Sequence, residues 1–198
     1  MNVKNTVALG IGLVLAASGV SAAGCERAGV AALLGELLQE AETTRRVLER
    51  VPADKLDWKP HPRSRSLGAL ALHVARLPGD VPGFLADDTF ETASLDFSGP
   101  QPASKAVIHT DFAAALATAR AYLEGACDAD VMKTWTLLRH GKPLLSMPRF
   151  GVLRAFMLNH LYHHRGQLTV YLRLLEVPVP SVYGPSADEK PAFARPAG

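Results

Sequence analysis

Two histidines four residues apart, His160 and His164, stand in a run whose apolar residues Leu153, Met157, Leu168, Tyr171 and Leu175 complete a pattern of steps of three and four. Positions four apart on an α-helix differ by about 40° in angle and about 6 Å along the axis, so both imidazoles can turn toward one atom between them. An imidazole at a core position needs a partner, because a buried polar group left unpaired costs about 1–3 kcal/mol. A shared cation satisfies two such rings at once. His73 occupies the same kind of place, between Leu70 and Leu77 on a second apolar stripe, and offers a third nitrogen from a facing helix. Three imidazole ligands leave coordination positions open, as in catalytic sites, whereas a closed structural zinc site has four protein ligands. The competing reading is a set of core histidines hydrogen-bonded to carbonyls or carboxylates.

The other candidates are weaker. His163 lies about 60° around the helix from His160, on a stripe with Phe156 and Val170, and reads as packing or as support for the pair. His61 between prolines, His109 ahead of a helix and His140 in a turn read as loop residues without a metal role. Leu161 follows His160 where a zinc peptidase of the HExxH type would carry Glu, which argues against that chemistry. No dedicated general base is identifiable, and catalytic residues stay unknown; Tyr162 and His163 are the candidates for a supporting part. Gly166 in mid-helix costs about 1 kcal/mol relative to Ala, which suggests that another backbone passes close by. Its neighbours Arg165 and Gln167 read as helix-crossing residues that hydrogen-bond the C-terminal tail.

The elements that must position these side chains are helices. Val30, Leu34, Leu37, Ala41 and Leu48 mark a first amphipathic helix that stops at Val51-Pro52. Ser66 is a good N-cap for a second, which carries His73 and which Pro78-Gly79 breaks or kinks. A third runs from about Asp111, through Phe112, Leu116, Ala119 and Leu123, to Gly125 or Cys127. Two β-prone runs, Thr134 to Leu138 and Pro143 to Leu145, flank His140-Gly141 and predict a small hairpin. The fourth helix is the longest, from about Arg149 to Leu175, and Val177-Pro178-Val179-Pro180 cannot continue it. The fold class expected is all-α, a four-helix bundle with a small β-hairpin between helices three and four.

The chain has 198 residues and 48% hydrophobic content, which suits a single well-packed domain. With 21 Lys+Arg against 19 Asp+Glu the formal charge is +2, and no basic stripe supports nucleic-acid binding. Lys4 is followed by no charged residue until Glu26, and an apolar run from Val7 to Ala17 leads into Val20-Ser21-Ala22-Ala23-Gly24. That is the pattern of a secretory signal with small residues at the cleavage site. Residues 1–24 are therefore set apart from a bundle domain over 25–198. They read as a cleaved signal, as a leader to a lipid-modified Cys25, or as an uncleaved anchor, so that the protein is exported to the periplasm or held at the membrane; a cytoplasmic location is the alternative. Cys25 and Cys127 form no CxxC pair and are too few for a disulfide framework. They can pair if the leader is cleaved, whereas a lipidated Cys25 leaves Cys127 alone.

The segment Asn159-His160-Leu161-Tyr162-His163-His164-Arg165-Gly166-Gln167-Leu168 resembles the signature of the DinB-like family. Leu56-Asp57-Trp58-Lys59-Pro60-His61-Pro62, Ser66-Leu67-Gly68 and Tyr183-Gly184-Pro185-Ser186-Ala187-Asp188-Glu189 extend the resemblance over residues 28 to 190 or so. It implies an up-down-down-up bundle, often a homodimer, whose metal ligands fall on His73, His160 and His164, with zinc or nickel as the ion. It also implies transfer of low-molecular-weight thiols or isomerisation of maleylpyruvate, and the metal site itself reads as that of a metal-dependent transferase or hydrolase acting on a small-molecule substrate. The alternative is a non-catalytic, metal-stabilised stress-response bundle or a dimeric interaction module. Two features depart from the family pattern. Ala69 stands where Glu is common, so Ser66 lacks the reciprocal partner of a capping box. The apparent signal segment also sits badly with thiol cofactors that are cytoplasmic.

Overall fold

The computed structural model describes residues 24–95 and 99–190. Three long helices, α1 (Ala28–Leu48), α2 (Leu67–Phe84) and α3 (Lys105–Gly125), pack with a fourth, composite one. A short α4 (Asp128–Val131) leads into β2 (Thr134–Arg139) and β3 (Lys142–Pro148). The composite helix then runs without interruption through α5 (Arg149–Val152), a π-helical stretch (Leu153–Asn159) and α6 (His160–Leu174). The expected four-helix bundle with its hairpin is the observed architecture. The leader assigned to residues 1–24 falls, but for Gly24, outside the described residues.

Several local expectations are corrected. The second helix does not end at Pro78-Gly79 but continues through Pro78 and Pro82 to Phe84. Proline removes one donor and crowds the preceding turn, yet Val74, Ala75, Leu77, Pro78, Val81 and Pro82 are all buried, and this packing holds the helix together. Gly79 serves the packing: a Cβ there would lie 2.8 Å from the Cα of Ala115 on α3. The close approach expected at Gly166 is absent, since nothing lies within 4 Å of a Cβ built there. The third helix begins at Lys105, with Ser104 Oγ accepting from Val107 N–H at 3.4 Å. His109 is therefore helical rather than in a loop. The first turns of α3 bury Ile108 and little else, so periodicity alone places its start too late.

The hairpin turns at His140-Gly141, both with positive φ (51° and 71°), as a two-residue hairpin loop that follows the twist of its strands requires. A third strand, β1 (Thr89–Glu91), adds to it in parallel, giving the order β1-β2-β3. The Glu91 carboxylate ties this strand to the turn by accepting from His140 N–H (3.1 Å) and Gly141 N–H (2.9 Å). Trp135 on β2 is buried and donates from Nε1 to the carbonyl of Phe84 at 2.9 Å, which anchors the sheet on the end of α2.

Just ahead of the sheet the starts of α1 and α4 are clasped, and Val30, Val131 and Trp135 share one buried cluster. Cys25 and Cys127, 102 residues apart, form a disulfide. Beside it, the Asp128 carboxylate accepts from Gly29 N–H (3.0 Å) and Val30 N–H (2.8 Å). An acid at a helix N-terminus satisfies donors that have no partner within the helix and opposes the macrodipole. In return, Arg27 donates to the carbonyls of Glu124 (2.6 Å) and Leu123 (3.0 Å) at the end of α3.

Candidate metal centre

Each candidate ligand is placed by a different local device. Ser66 caps α2 through its Oγ, which accepts from Ala69 N–H at 3.1 Å and donates to Gln101 Oε1 at 2.5 Å. Gln101 supplies the side-chain partner that Ala69 cannot, and its Nε2 also donates to Leu56 O and Asp57 Oδ1, each at 2.9 Å. The fixed start of α2 sets the phase of His73, two turns on. His160 is the first residue of α6, directly after the π stretch. A π turn inserts a residue into the helical register, and the histidine pair sits immediately after that change of phase.

The three rings converge. The ligating nitrogens of His73, His160 and His164 all lie within 4.8 Å of one another. Ring centroids are 5.2 Å apart for His73 and His160, 4.6 Å for His73 and His164, and 4.5 Å for His160 and His164. The Nε2 atoms of His160 and His164 are separated by 2.7 Å. Gln167 bridges two neighbours: its Oε1 lies 2.8 Å from His164 Nδ1 and its Nε2 lies 3.1 Å from His163 Nε2. An amide oxygen only accepts, so His164 carries its proton on Nδ1 and presents a bare Nε2 lone pair. The Phe156 backbone carbonyl accepts from the His160 ring, which directs the other nitrogen of that ring to the same point.

Burial makes these rings neutral. Desolvation lowers His73 to about 3 and His164 to about 4, and it lowers His160 as well; the Arg65 guanidinium adds positive charge near all three. Three uncharged imidazoles, two with ring nitrogens facing each other at 2.7 Å, form a donor set that one divalent cation bridges at all three rings, whereas a single proton would serve only the His160–His164 pair. The residues present therefore fit a metal ion.

The cluster borders a cavity of about 450 Å³. His73 and His160 contribute to its wall, so the side of the cluster away from the helix backbones faces open volume. The remaining wall includes Leu77, Val81, Phe84, Phe90, Trp135 and Leu137, with the charged groups Arg65, Arg76 and Asp80. Arg76 pairs through Nε with Asp111 Oδ2 at 2.7 Å, and burial holds the Asp80 carboxyl above the usual range. Sequence reasoning missed these three. Arg76 and Asp80 lie three and seven residues after His73, a spacing that could have placed them on its face; Arg65 precedes the N-cap and carried no signal.

The geometry gives the two weaker candidates different places. The Tyr162 hydroxyl donates to Glu36 Oε1 on α1 at 2.6 Å, and Glu36 also pairs with Arg154, so Tyr162 ties α6 to α1. His163 is exposed; its ring stands edge-on to that of His164, with centroids 4.8 Å apart, and its Nε2 lies 3.1 Å from Gln167 Nε2, so it flanks His164 from the solvent side. Arg165 is structural, as its place beside the tail suggested. It is 1% exposed, pairs with Glu40 Oε2 at 2.6 Å, and donates to Thr44 Oγ1 (3.1 Å) and Tyr183 Oη (2.5 Å).

A helical bundle with three converging imidazoles beside a largely apolar cavity defines a class of protein, and sequence comparison names it. The chain matches the DinB family over residues 25–192 and belongs to that family. It is 29% identical over 159 residues to YrdA, an uncharacterised protein of Bacillus subtilis, covering 78% of this chain and 87% of YrdA. Among solved structures it resembles a DinB-like protein from Bacillus cereus, with TM-score 0.59 and 26% identity over 76% of this chain and 95% of that one. It also shares the fold of the B. subtilis DinB-like protein YjoA, with TM-score 0.56 and 16% identity, covering 73% and 92% of the two chains.

Proposed function

We propose that the chain binds one divalent ion, zinc or nickel, on His73, His160 and His164, and uses it in a transferase or hydrolase reaction on a small molecule drawn into the adjoining cavity. The observation that carries this reading is the juxtaposition itself: three imidazoles converge, and two of them, His73 and His160, line a 450 Å³ cavity. Such an ion supplies Lewis-acid polarisation and lowers the pKa of a coordinated water or thiol. The protein's own part is to hold His164 by Gln167, to keep the rings uncharged by burial, and to surround the substrate with apolar wall that excludes water.

A purely structural role for the ion is less well supported. The helices already close over two buried apolar clusters, and the Cys25–Cys127 disulfide ties down one end. That disulfide also favours export, since such bonds persist in oxidising compartments, and disfavours a cytoplasmic thiol as co-substrate. No helix among the described residues is long and apolar enough to cross a membrane. The homodimer implied by the family resemblance belongs to the same proposal. Val170 and Leu174, four apart on α6 and 57% and 58% exposed, are an apolar pair that a second copy would cover.

Metal analysis of protein purified without chelators tests the reading. One equivalent of zinc or nickel is expected in the native chain and a small fraction of that in His160→Ala. Substoichiometric metal in the native protein would overturn it.

A further inference from the structure

Three of the chain's seven phenylalanines and one of its two tryptophans line the cavity beside the histidines. Phe84 and Phe90 pack with ring centroids 4.4 Å apart, and Trp135 and Phe156 complete the aromatic part of the wall. Trp135 is buried, whereas Phe84, Phe90 and Phe156 are each only half-buried, so the protein leaves part of their ring surface uncovered. Another ring meets such surface better than an aliphatic group does, because offset or edge-on aromatic contact adds to plain apolar burial.

The polar side chains of the same wall are already engaged. Trp135 gives its indole N–H to the carbonyl of Phe84, and the Thr92 hydroxyl donates to the carbonyl of Leu138 at 2.9 Å. Arg65 has a partner of its own. Arg76 is paired with Asp111 and stands one turn from Asp80 on α2, and all three also line a second groove between α2 and α3. A charged ligand would gain from one of these groups what it loses to the next, and it would shed hydration on entering. What remains for a ligand is apolar and aromatic surface, together with the positions that three imidazoles leave open on an ion.

The volume sets the scale of the occupant. A cavity of about 150 Å³ accommodates a single benzene ring, and at about 450 Å³ this one has room for two or three.

We infer that the cavity binds an uncharged aromatic molecule of two or three rings, held against Phe84, Phe90, Trp135 and Phe156, with a single polar group reaching the histidine cluster. The assignment names the substrate class for the site proposed above, and it rests on the metal reading for that polar group alone.

Four hydroxamates that share one zinc-binding group test it by calorimetric titration of the zinc-loaded full chain, with zinc content measured on the same sample. They are 2-naphthohydroxamate, its decahydro counterpart, its 6-sulfonate and acetohydroxamate. The naphthyl compound should bind about 100-fold more tightly than acetohydroxamate, about two- to tenfold more tightly than the saturated one, and at least about tenfold more tightly than the sulfonate. Phe90→Leu should remove most of the preference for the aromatic over the saturated body and leave zinc content unchanged. In a fully zinc-loaded sample, a sulfonate or a saturated compound that binds as tightly as the parent overturns the assignment and leaves the metal centre standing. 2-Methoxynaphthalene, which lacks the zinc-binding group, separates the two readings. Its binding to the metal-free chain upholds the cavity assignment even where zinc uptake fails and the metal reading falls, and absence of binding to either form overturns the assignment.

Discussion

Gln167 and His164 share a hydrogen bond of 2.8 Å that fixes which imidazole nitrogen faces the cluster. Gln167 is exposed, so its replacement tests this orienting effect with little disturbance of the core. Gln167→Leu is expected to lower zinc affinity about 10- to 100-fold, the usual cost of losing such a partner, with the unfolding midpoint of the metal-free protein nearly unchanged. Chelator competition measures the first and thermal unfolding the second. Unaltered affinity would show that the ring needs no such support.

The histidines also predict a pH dependence for the metal-free protein. Folding lowers His73 from the ordinary 6.5 to about 3 and His164 to about 4. Between those values the unfolded chain binds more protons than the folded one, so stability falls as pH falls through that window and is fully present above about 6.5. Unfolding midpoints should therefore drop from pH 7 to pH 4.5, and His73→Leu should flatten the slope. A slope that is the same in the variant would remove His73 from this account.

Arg165 and Glu40 form a buried pair, 1% and 7% exposed at the side chain. Removing one charge strands the other, and Arg165→Met should cost about 3–5 kcal/mol in urea unfolding. The double variant Arg165→Met/Glu40→Met should be less destabilised than the single one. Equal loss in both would argue that packing around Tyr183, not charge, is what the arginine supplies.

Two of the helical glycines, Gly79 and Gly166, should respond in opposite directions. Gly79→Ala must displace Ala115 backbone at 2.8 Å and should destabilise by about 1–3 kcal/mol. Gly166→Ala meets open space and should stabilise by up to about 1 kcal/mol through helix propensity alone. Chemical denaturation of both variants reads the signs directly.

If two copies pair across α6, Val170→Lys should shift the protein to a monomer in light scattering at micromolar concentration, with zinc content unchanged. A native protein that is monomeric throughout would refute the pairing.

Much of the architecture was legible because the helices obey one rule: a buried stripe repeats every 3.6 residues. The stripe carrying Met157, His160, His164 and Leu168 located the pair, and Ser66 located the start of α2. The misreadings arose where tertiary contacts override local preference. Pro78-Gly79 resembles a helix stop, but neighbouring helices hold the chain through it. Gly166 and Gly79 look alike in sequence, and only the packing tells which one a neighbour requires. The parallel partner β1 is three residues long, too short to show periodicity. Asp80, two turns beyond His73 on α2, was within reach of the same rule, whereas Arg65 lies ahead of the helix and reaches the cavity wall only through the fold.

The π stretch Leu153–Asn159 has a further consequence for how this chain tolerates changes in length. Deleting one residue within it would restore an ordinary α-helix and leave composition and hydrophobic content almost untouched. A π turn is an α-helix that has absorbed an extra residue, so the helix beyond would keep nearly its present phase, with His160 and His164 still toward His73 and Arg165 still toward Glu40. One residue lost from the regular turns that follow, where nothing absorbs it, would instead turn everything beyond by about 100°. The stretch is thus where this helix has slack in length, and the metal cluster and the anchorage of the C-terminal tail both lie downstream of it.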